Sequence, residues 1–306
     1  MIALAGGCAA KQASALLRDR PLQLAPSSEL AGVPFFPQRQ YQCGPAALAM
    51  TLNWAGASMS PEQLAPEIFI PGKKGSLQVE MLAAARRHAM LAYALEPRLS
   101  DVLQEVDAGH PVIVFQNLGL DWYPVWHYAV VIGYSLDDKK IILHSGEEQG
   151  RTVSLSTFER TWVRGGSWAM LTLPPGQLPE TAGEDRYLRA ALALEQTDKL
   201  HAAVQAYEAA LRRWPWSLAA QMGRGNSHYA LGDLQNAEQA FLQATLDHPE
   251  VAAAFNNLAQ TYSDQKRYQE ALNAAQKAAI LNPTSSIFRK TLEQVQTLIG
   301  SESALH

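Results

Sequence analysis

The residue with the clearest chemical potential is Cys43, which begins an apolar segment that runs on to Met50. If that segment is a helix, the cysteine lies among unpaired N–H groups at the positive end of the helix dipole, which favours thiolate over thiol. A thiolate in that position would be a nucleophile. Because free cysteines are more often small buried hydrophobes, a catalytic role depends on suitable partners elsewhere in the chain.

His127 is the best candidate for such a partner. A thiolate nucleophile needs a base that takes its proton and later delivers it to the leaving amine. His127 opens the apolar run 128–134, which predicts a strand, so a polar imidazole stands at the mouth of a buried element. The alternative is a histidine at a strand edge without a function. Together, Cys43 and His127 indicate a nucleophilic hydrolase.

The elements around these two residues predict an α+β domain. A helical first third precedes four β-rich runs, an order typical of α+β folds. Two capping boxes, Ser60 to Gln63 and Ser156 to Glu159, predict the starts of two helices. The four β-rich runs cover residues 111–115, 127–132, 140–143 and 167–173.

After residue 183 the pattern becomes purely helical and repeats. Three prolines are separated by 34 residues, the tetratricopeptide period: Pro215, Pro249 and Pro283. Small residues recur in three columns: Ala191, Gly225 and Ala259; Ala203, Ala237 and Ala271; Ala210, Ala244 and Ala278. Tyr207 and Phe241 fill one slot between the helices, which Ala275 occupies in the third unit. We expect three repeats followed by a capping helix over residues 286–299.

Length, composition and charge fit two domains without a cofactor. The 306 residues correspond to about two domains, and 47% hydrophobic residues allow each a core. With 25 Lys and Arg against 29 Asp and Glu, the formal net charge of −4 argues against a nucleic-acid partner. No metal-ligand spacing or phosphate-binding loop occurs, so we expect no metal and no cofactor. The expected boundaries are a signal-like segment and flexible tether over 1–31, a catalytic domain over 32–173, a linker over 174–183 and repeats over 184–299.

The motifs around Cys43 and His127 resemble the bacteriocin-processing (double-glycine leader) cysteine peptidases and their stand-alone relatives in the papain-like superfamily. The resemblance spans residues 33–173. Its pieces are Val33-Pro34 followed by Gln38, the Cys43-Gly44-Pro45-Ala46 helix start, the strand at His127, and Phe158-Glu159-Arg160-Thr161-Trp162. It implies an α+β papain-like cysteine peptidase domain, here followed by an all-α tetratricopeptide-repeat solenoid.

The resemblance also implies a role for each matching residue. Cys43 would be the nucleophile and His127 the general base. The side-chain amide of Gln38 would form the oxyanion hole with the backbone N–H of the cysteine, a contribution of about 3 to 4 kcal/mol to the tetrahedral intermediate. Transporter-linked members place this glutamine six residues before the cysteine, and Gln38 lies five before it. Gln40 and Gln42 therefore stay as alternatives.

The sequence departs from the family at the residue that orients the histidine. Members usually carry Asp or Asn at the end of the strand that follows the histidine strand, and that position falls here at His144 or Ser145. Neither is a carboxylate, but either side chain could accept the imidazole N–H. The acidic residues nearby in the sequence are predicted to lie in turns.

The other cysteine, Cys8, indicates a different task. Residues 1–8 resemble the end of a bacterial lipoprotein signal peptide, in which small residues precede a lipidated cysteine. The basic region is missing, and Ala5 stands where Leu is usual. A lipid on Cys8 would place the protein at the bacterial cell envelope, on the periplasmic face, with membrane contact only through that lipid. An incidental cysteine in a cytoplasmic protein is the alternative.

Two functions are compatible with these features. The first is a cysteine endopeptidase that acts through an acyl-enzyme, with repeats that recruit a protein or peptide substrate or partner. The second is a catalytically silent peptidase-like domain that acts with the repeats as a protein-binding adaptor in the envelope. Acyl transfer would use the same residues as proteolysis, and the sequence does not separate these two reactions.

Overall fold

An antiparallel sheet with helices packed on it occupies the first part of the chain, and paired helices occupy the second. The structure is a computed structural model. It describes residues 10–20, 24–38, 42–73 and 75–303. Two compact units divide the chain, Met1–Ala190 and Ala191–His306. Cys8 and Gln40 lie outside the described residues, so a lipid on Cys8 and an oxyanion role for Gln40 stay predictions.

The first unit contains one mixed assembly of strands and helices. Its strands are β1 (Ser27–Glu29), β2 (Leu91–Ala94), β3 (Val112–Asn117), β4 (Trp126–Ser135), β5 (Lys140–Ser145), β6 (Glu148–Ser154) and β7 (Ala169–Leu173). Its helices are α1 (Lys11–Asp19), α2 (Cys43–Trp54), α3 (Pro61–Ile68), α4 (Gln78–Arg87), α5 (Leu99–Asp107) and α6 (Leu155–Arg164). The predicted α+β class is confirmed.

The seven strands found in the described residues form a single antiparallel sheet in the order β2-β7-β3-β4-β5-β6, with β1 paired to β4. The four β-rich runs of the sequence appear as β3, β4, β5 and β7. Strands β1, β2 and β6 were not predicted. β1 and β2 are short, and β6 is polar and largely exposed, so none carries the alternating apolar pattern that marks a strand.

Helix α2 lies in the core and packs on one face of β4. Alternate residues of β4 point to that face, and the buried side chains of Tyr128, Val130 and Ile132 meet the helix there. All residues of α2 from Gly44 to Leu52 are buried. The continuous apolar segment after Cys43 is thus a helix surrounded by core, which fixes its first residue against the sheet.

The segment predicted as a flexible tether contains two packed elements, α1 and β1. The backbone N–H groups of Gln12 and Ala13 in the first turn of α1 donate to the carboxylate of Glu159, at 2.9 and 2.7 Å. This buried carboxylate accepts hydrogen bonds from N–H groups at a helix N-terminus, which have no partners within the helix. The tether prediction is wrong for residues 11–19 and 27–29, because the partner that holds α1 lies far away in the sequence.

Residues 174–183, predicted as the linker, belong to the first unit and contact the rest of it through Glu105. The buried Glu105 carboxylate accepts hydrogen bonds from the backbone N–H groups of Glu180 and Thr181 and from the Thr181 hydroxyl, at 3.2, 2.7 and 2.6 Å. His110 Nδ1 lies 2.7 Å from the same group. A fully buried carboxylate needs such partners, and here the linker supplies most of them.

Of the two capping boxes predicted from the sequence, one is present in the structure and the other is not. Ser60 forms the predicted capping box with Gln63 at the start of α3. The box predicted at Ser156 is wrong, because Ser154 caps α6 and accepts from the Thr157 N–H at 3.1 Å. Glu159 is then free to hold α1, which explains why a glutamate occurs at that position.

The paired helices of the repeats follow, and the second unit begins within the first of them, at Ala191. They are α7 (Glu184–Glu195), α8 (Leu200–Arg213), α9 (Leu218–Ala230), α10 (Leu234–Asp247), α11 (Ala252–Asp264), α12 (Tyr268–Leu281) and α13 (Ser286–Ser303). Every residue in the three predicted small-residue columns is buried. A Cβ at Gly225 would lie 2.5 Å from the ring of Phe241, so the column of small residues reflects close helix contacts. The predicted repeat array with its terminal helix is confirmed.

We predict that Gly223→Ala destabilises the repeats. A Cβ at Gly223 would lie 2.2 Å from the ring of Tyr207, whose hydroxyl donates to Glu195 at 2.8 Å and cannot easily move. Such overpacking lowers the free energy of unfolding by about 1 to 3 kcal/mol. Urea unfolding followed by far-ultraviolet circular dichroism measures the change.

Gly300→Ala is the matched control for that variant, because a Cβ at Gly300 on α13 meets nothing within 4 Å. We expect it to leave stability unchanged or slightly higher. Equal stability of Gly223→Ala and the wild type would contradict the packing described here.

Candidate active site

Cys43 is the first residue of α2, and its sulfur lies beside the start of β4. The backbone N–H groups of Tyr128, Gly44 and Cys43 itself are directed at the sulfur and favour its thiolate form. Two of these donors belong to the first turn of the helix, whose N–H groups have no partners within the helix. The third comes from β4, so the residue after His127 touches the sulfur of the candidate nucleophile.

Burial nevertheless raises the pKa of the Cys43 thiol, because desolvation outweighs the three backbone donors. The expectation of a thiolate favoured by the helix terminus is wrong for this site. The start of α2 lies inside the core and away from solvent. Its N–H groups stabilise the thiolate of Cys43, but burial destabilises that charge more strongly. Cys43 is therefore a neutral thiol at neutral pH.

His127 lies at the start of β4, where it pairs with Gln116 of β3. Its Nε2 is 2.9 Å from the hydroxyl oxygen of Ser145 at the end of β5. Burial, together with the smaller effect of the positive charge of Arg151 on β6, lowers the pKa of His127 to about 4. The imidazole is neutral at pH 7 and is available as a base.

The contact with Ser145 is compatible with a useful tautomer of His127. If Nε2 carries the proton and donates to the Ser145 hydroxyl, Nδ1 keeps its lone pair and can accept a proton. The serine hydroxyl oxygen can then accept this hydrogen bond and orient the ring, although it carries no full negative charge.

The structure separates the two residues that the sequence left open for the orienting position. Ser145 contacts His127, whereas His144 has other partners. Its Nε2 donates to the carbonyl of Val33 at 3.1 Å, and its Nδ1 accepts from the N–H of Gly150 at 3.2 Å. Both ring nitrogens are occupied, and burial lowers the pKa of His144. His144 thus ties the chain before Gln38 to the sheet.

Gln38 connects the separated ends of β4 and β5. Its Nε2 donates to the Tyr128 carbonyl at 3.1 Å, and its Oε1 accepts from the Gly146 N–H at 2.8 Å. Its own N–H donates to the Gly146 carbonyl at 2.9 Å. The side chain is buried and held from both sides. Because Tyr128 also reaches Cys43, Gln38 lies in the same cluster as the thiol, and one of its two amide protons remains for another acceptor.

Of the alternative glutamines, only Gln42 lies within the described residues. It precedes α2 as the N-cap residue, and its carbonyl accepts from the Ala46 N–H at 3.1 Å. Its side chain makes no capping hydrogen bond. The contacts therefore favour Gln38 over Gln42 as the residue built into the site.

Sequence reasoning missed the backbone donor at Tyr128 and the charge at Arg151. A backbone amide leaves no signal in residue type, since any residue except proline supplies one. Arg151 belongs to β6, a polar strand without a recognisable pattern. Among the described residues, no group of three or more His, Cys, Asp or Glu could hold a metal ion.

Family models match both parts of the chain. A model of the Peptidase C39 like family matches residues 30–170, which include all of these site residues. This match identifies residues 30–170 as a C39-like peptidase domain. Tetratricopeptide-repeat models match residues 188–247 and 223–286 in the second unit. The family resemblance drawn from the sequence is confirmed for both parts of the chain.

Solved structures with similar folds come from both classes. A C39-like peptidase from Bacillus anthracis is 22% identical, with a TM-score of 0.41 over 48% of this chain and 97% of the other. The tetratricopeptide domain of Sgt2 from Aspergillus fumigatus is 20% identical, with a TM-score of 0.38 over 40% and 82%. The Arabidopsis OM64 repeat domain is 18% identical, with a TM-score of 0.36 over 37% and 94%. Among curated proteins, none matches the sequence.

No helix in the described part of the chain combines the length and the apolar character needed to cross a membrane.

We predict that the buried His127 makes the C39-like domain less stable in acid. Its folded pKa of about 4 lies below the ordinary value of 6.5, so the unfolded chain binds more protons between these pH values. The free energy of unfolding therefore falls as the pH drops from 6.5 to 4. His127→Gln should reduce that slope, by at most about 3 kcal/mol across the window.

Hydrogen exchange of the β4 amides, corrected for the intrinsic rate at each pH, measures this slope in the intact protein. His201→Gln removes an exposed histidine on α8 and serves as the control. A slope in His127→Gln as steep as in the wild type would refute a depressed pKa at this residue.

Proposed function

We propose that the C39-like domain is a cysteine endopeptidase with Cys43 as nucleophile and His127 as general base and acid. One observation carries the proposal. The residue beside His127 touches the Cys43 sulfur through its backbone N–H, while the Nε2 of His127 is held at 2.9 Å from Ser145. The membership of residues 30–170 in the C39-like family supports the same reaction.

The first half of the proposed reaction forms an acyl-enzyme. The Cys43 sulfur attacks the scissile carbonyl carbon while its proton moves to Nδ1 of His127, which leaves a tetrahedral intermediate with a negative oxygen. The N–H of Cys43 and the free amide proton of Gln38 would hold that oxygen. When the carbon–nitrogen bond breaks, the electron pair goes to the amine, and His127 donates its proton to the same nitrogen.

The second half releases the product acid. Water attacks the thioester carbonyl while His127 takes its proton, and the second tetrahedral intermediate expels the sulfur. The sulfur recovers a proton from His127, so thiol and imidazole return to their neutral resting forms. A neutral pair suits this cycle, because the buried imidazolium exists only while the adjacent oxyanion balances its charge.

The repeats would bring a protein substrate or partner to the enzyme. Tetratricopeptide arrays form extended concave binding surfaces for peptides and proteins. Within the second unit, a cavity of about 750 Å³ is lined by residues that include Tyr229, Gln260, Lys290 and Gln294. Its mixed polar and apolar lining suits an extended peptide.

Cleavage of fluorescently labelled casein by the full-length protein tests the reaction. Cys43→Ala and His127→Ala should each lower kcat/KM at least about a thousandfold, because the two residues act as one unit. Gly300→Ala serves as the folded control. Wild-type cleavage no faster than that of Cys43→Ala would reject the peptidase and favour the silent adaptor.

We predict that Ser145 acts by positioning His127. Ser145→Ala should lower kcat about tenfold with little change in KM, because substrate binding does not use the serine. Ser145→Asn should restore most of the rate, since its side-chain oxygen can also accept the Nε2 proton of His127. A loss in Ser145→Ala that Ser145→Asn does not reverse would contradict the positioning role.

A further inference from the structure

An exposed cluster of large apolar side chains lies between β3 and β4, immediately before His127. We call residues 118–126 the aromatic hairpin. Its exposed members are Leu118, Leu120, Trp122, Tyr123, Val125 and Trp126. Trp122 is 81% exposed and Tyr123 70%. Monomeric proteins rarely expose so many large apolar residues together, and such patches mark binding surfaces.

The aromatic hairpin is held in shape by hydrogen bonds, so its exposure is built into the fold. The buried side chain of Asn117 accepts from the N–H groups of Gly119 and Val125, at 3.0 and 2.9 Å. The Leu118 N–H donates to the Val125 carbonyl at 2.8 Å. A Cβ at Gly119 would lie only 2.3 Å from the Tyr123 carbonyl oxygen, so the two arms approach as closely as glycine permits.

Trp126 connects the hairpin to the site. Its ring stacks on Phe115 with 5.2 Å between centroids and 12° between planes, and Phe115 in turn contacts Tyr128. One face of the Trp126 indole is thus covered, while 53% of the residue remains exposed. A fixed, half-covered aromatic ring is a preorganised surface for another apolar side chain.

The proton transfer proposed for His127 indicates which part of a substrate reaches the aromatic hairpin. On the proposed function, on which this inference rests, His127 donates a proton to the leaving amine. The peptide that follows the scissile bond therefore departs past His127, on the side where the chain enters β4 from the hairpin. We propose that the aromatic hairpin binds large apolar or aromatic side chains in the first positions after the scissile bond.

A peptide fits the hairpin better than a membrane surface does. Segments that bind membrane surfaces combine apolar residues with Lys or Arg for the anionic headgroups. Residues 118–126 contain neither, and their one charged residue is Asp121, beside Trp122. An acidic group there opposes an anionic lipid surface and leaves binding of an uncharged apolar segment unaffected.

A library of ten-residue peptides, randomised at every position, tests the inference with the full-length protein. Mass spectrometry of the new N-termini reports the residues after each cut. We expect the wild type to enrich Phe, Tyr, Trp or Leu there about tenfold, and Trp122→Ala with Tyr123→Ala to lose that enrichment while still cutting. Trp216→Ala, which removes a 72% exposed tryptophan from the repeats, should retain it.

Retention of the same library on immobilised Cys43→Ala protein separates the hairpin from the chemistry. Enrichment of apolar peptides that disappears in Cys43→Ala with Trp122→Ala supports the hairpin even if the wild type cuts nothing, a result that would reject only the peptidase. Cleavage without preference after the cut would overturn the hairpin and leave the peptidase intact. Binding of phosphatidylcholine–phosphatidylglycerol vesicles through Trp122, without peptide enrichment, would also overturn it.

Discussion

The contact between the first turn of α2 and the first residues of β4 is the interaction on which the candidate site depends. The Tyr128 N–H reaches the Cys43 sulfur from one side of the strand end, and the Tyr128 carbonyl receives the Gln38 amide. One residue of the sheet thereby contacts the candidate nucleophile and the proposed oxyanion donor, and it directly follows the candidate base. The apolar side chains of α2 hold this junction, because the helix can bury them only by lying on β4.

Burial at that junction also sets the protonation states. It raises the pKa of Cys43 and lowers that of His127, so each group prefers its neutral form. Two buried carboxylates elsewhere in the first unit have a different role. Glu105 and Glu159 are buried with several N–H or hydroxyl donors directed at them, and these contacts fasten the segment after β7 and helix α1. The fold thus uses buried acids as attachment points and keeps its candidate catalytic pair neutral.

The sequence correctly predicted those features of the fold that depend on side-chain type and spacing. The 34-residue repeat, the helix after Cys43 and the strand after His127 are all present, because each depends on local periodicity. The packing of α1 was missed, since it depends on Glu159, far away in the chain. The raised thiol pKa was missed for a related reason: a helix terminus has a local signature, whereas the depth at which it is buried follows from the whole tertiary structure.

The pH dependence of Cys43 alkylation by iodoacetamide, in the wild type and in His127→Ala, tests the central claim of a buried, neutral thiol and imidazole most directly. We expect a midpoint above about 8.5, the value of an ordinary thiol, in both proteins. A wild-type midpoint below about 7 that rises when the histidine is removed would contradict it, because that result requires a preformed thiolate–imidazolium pair.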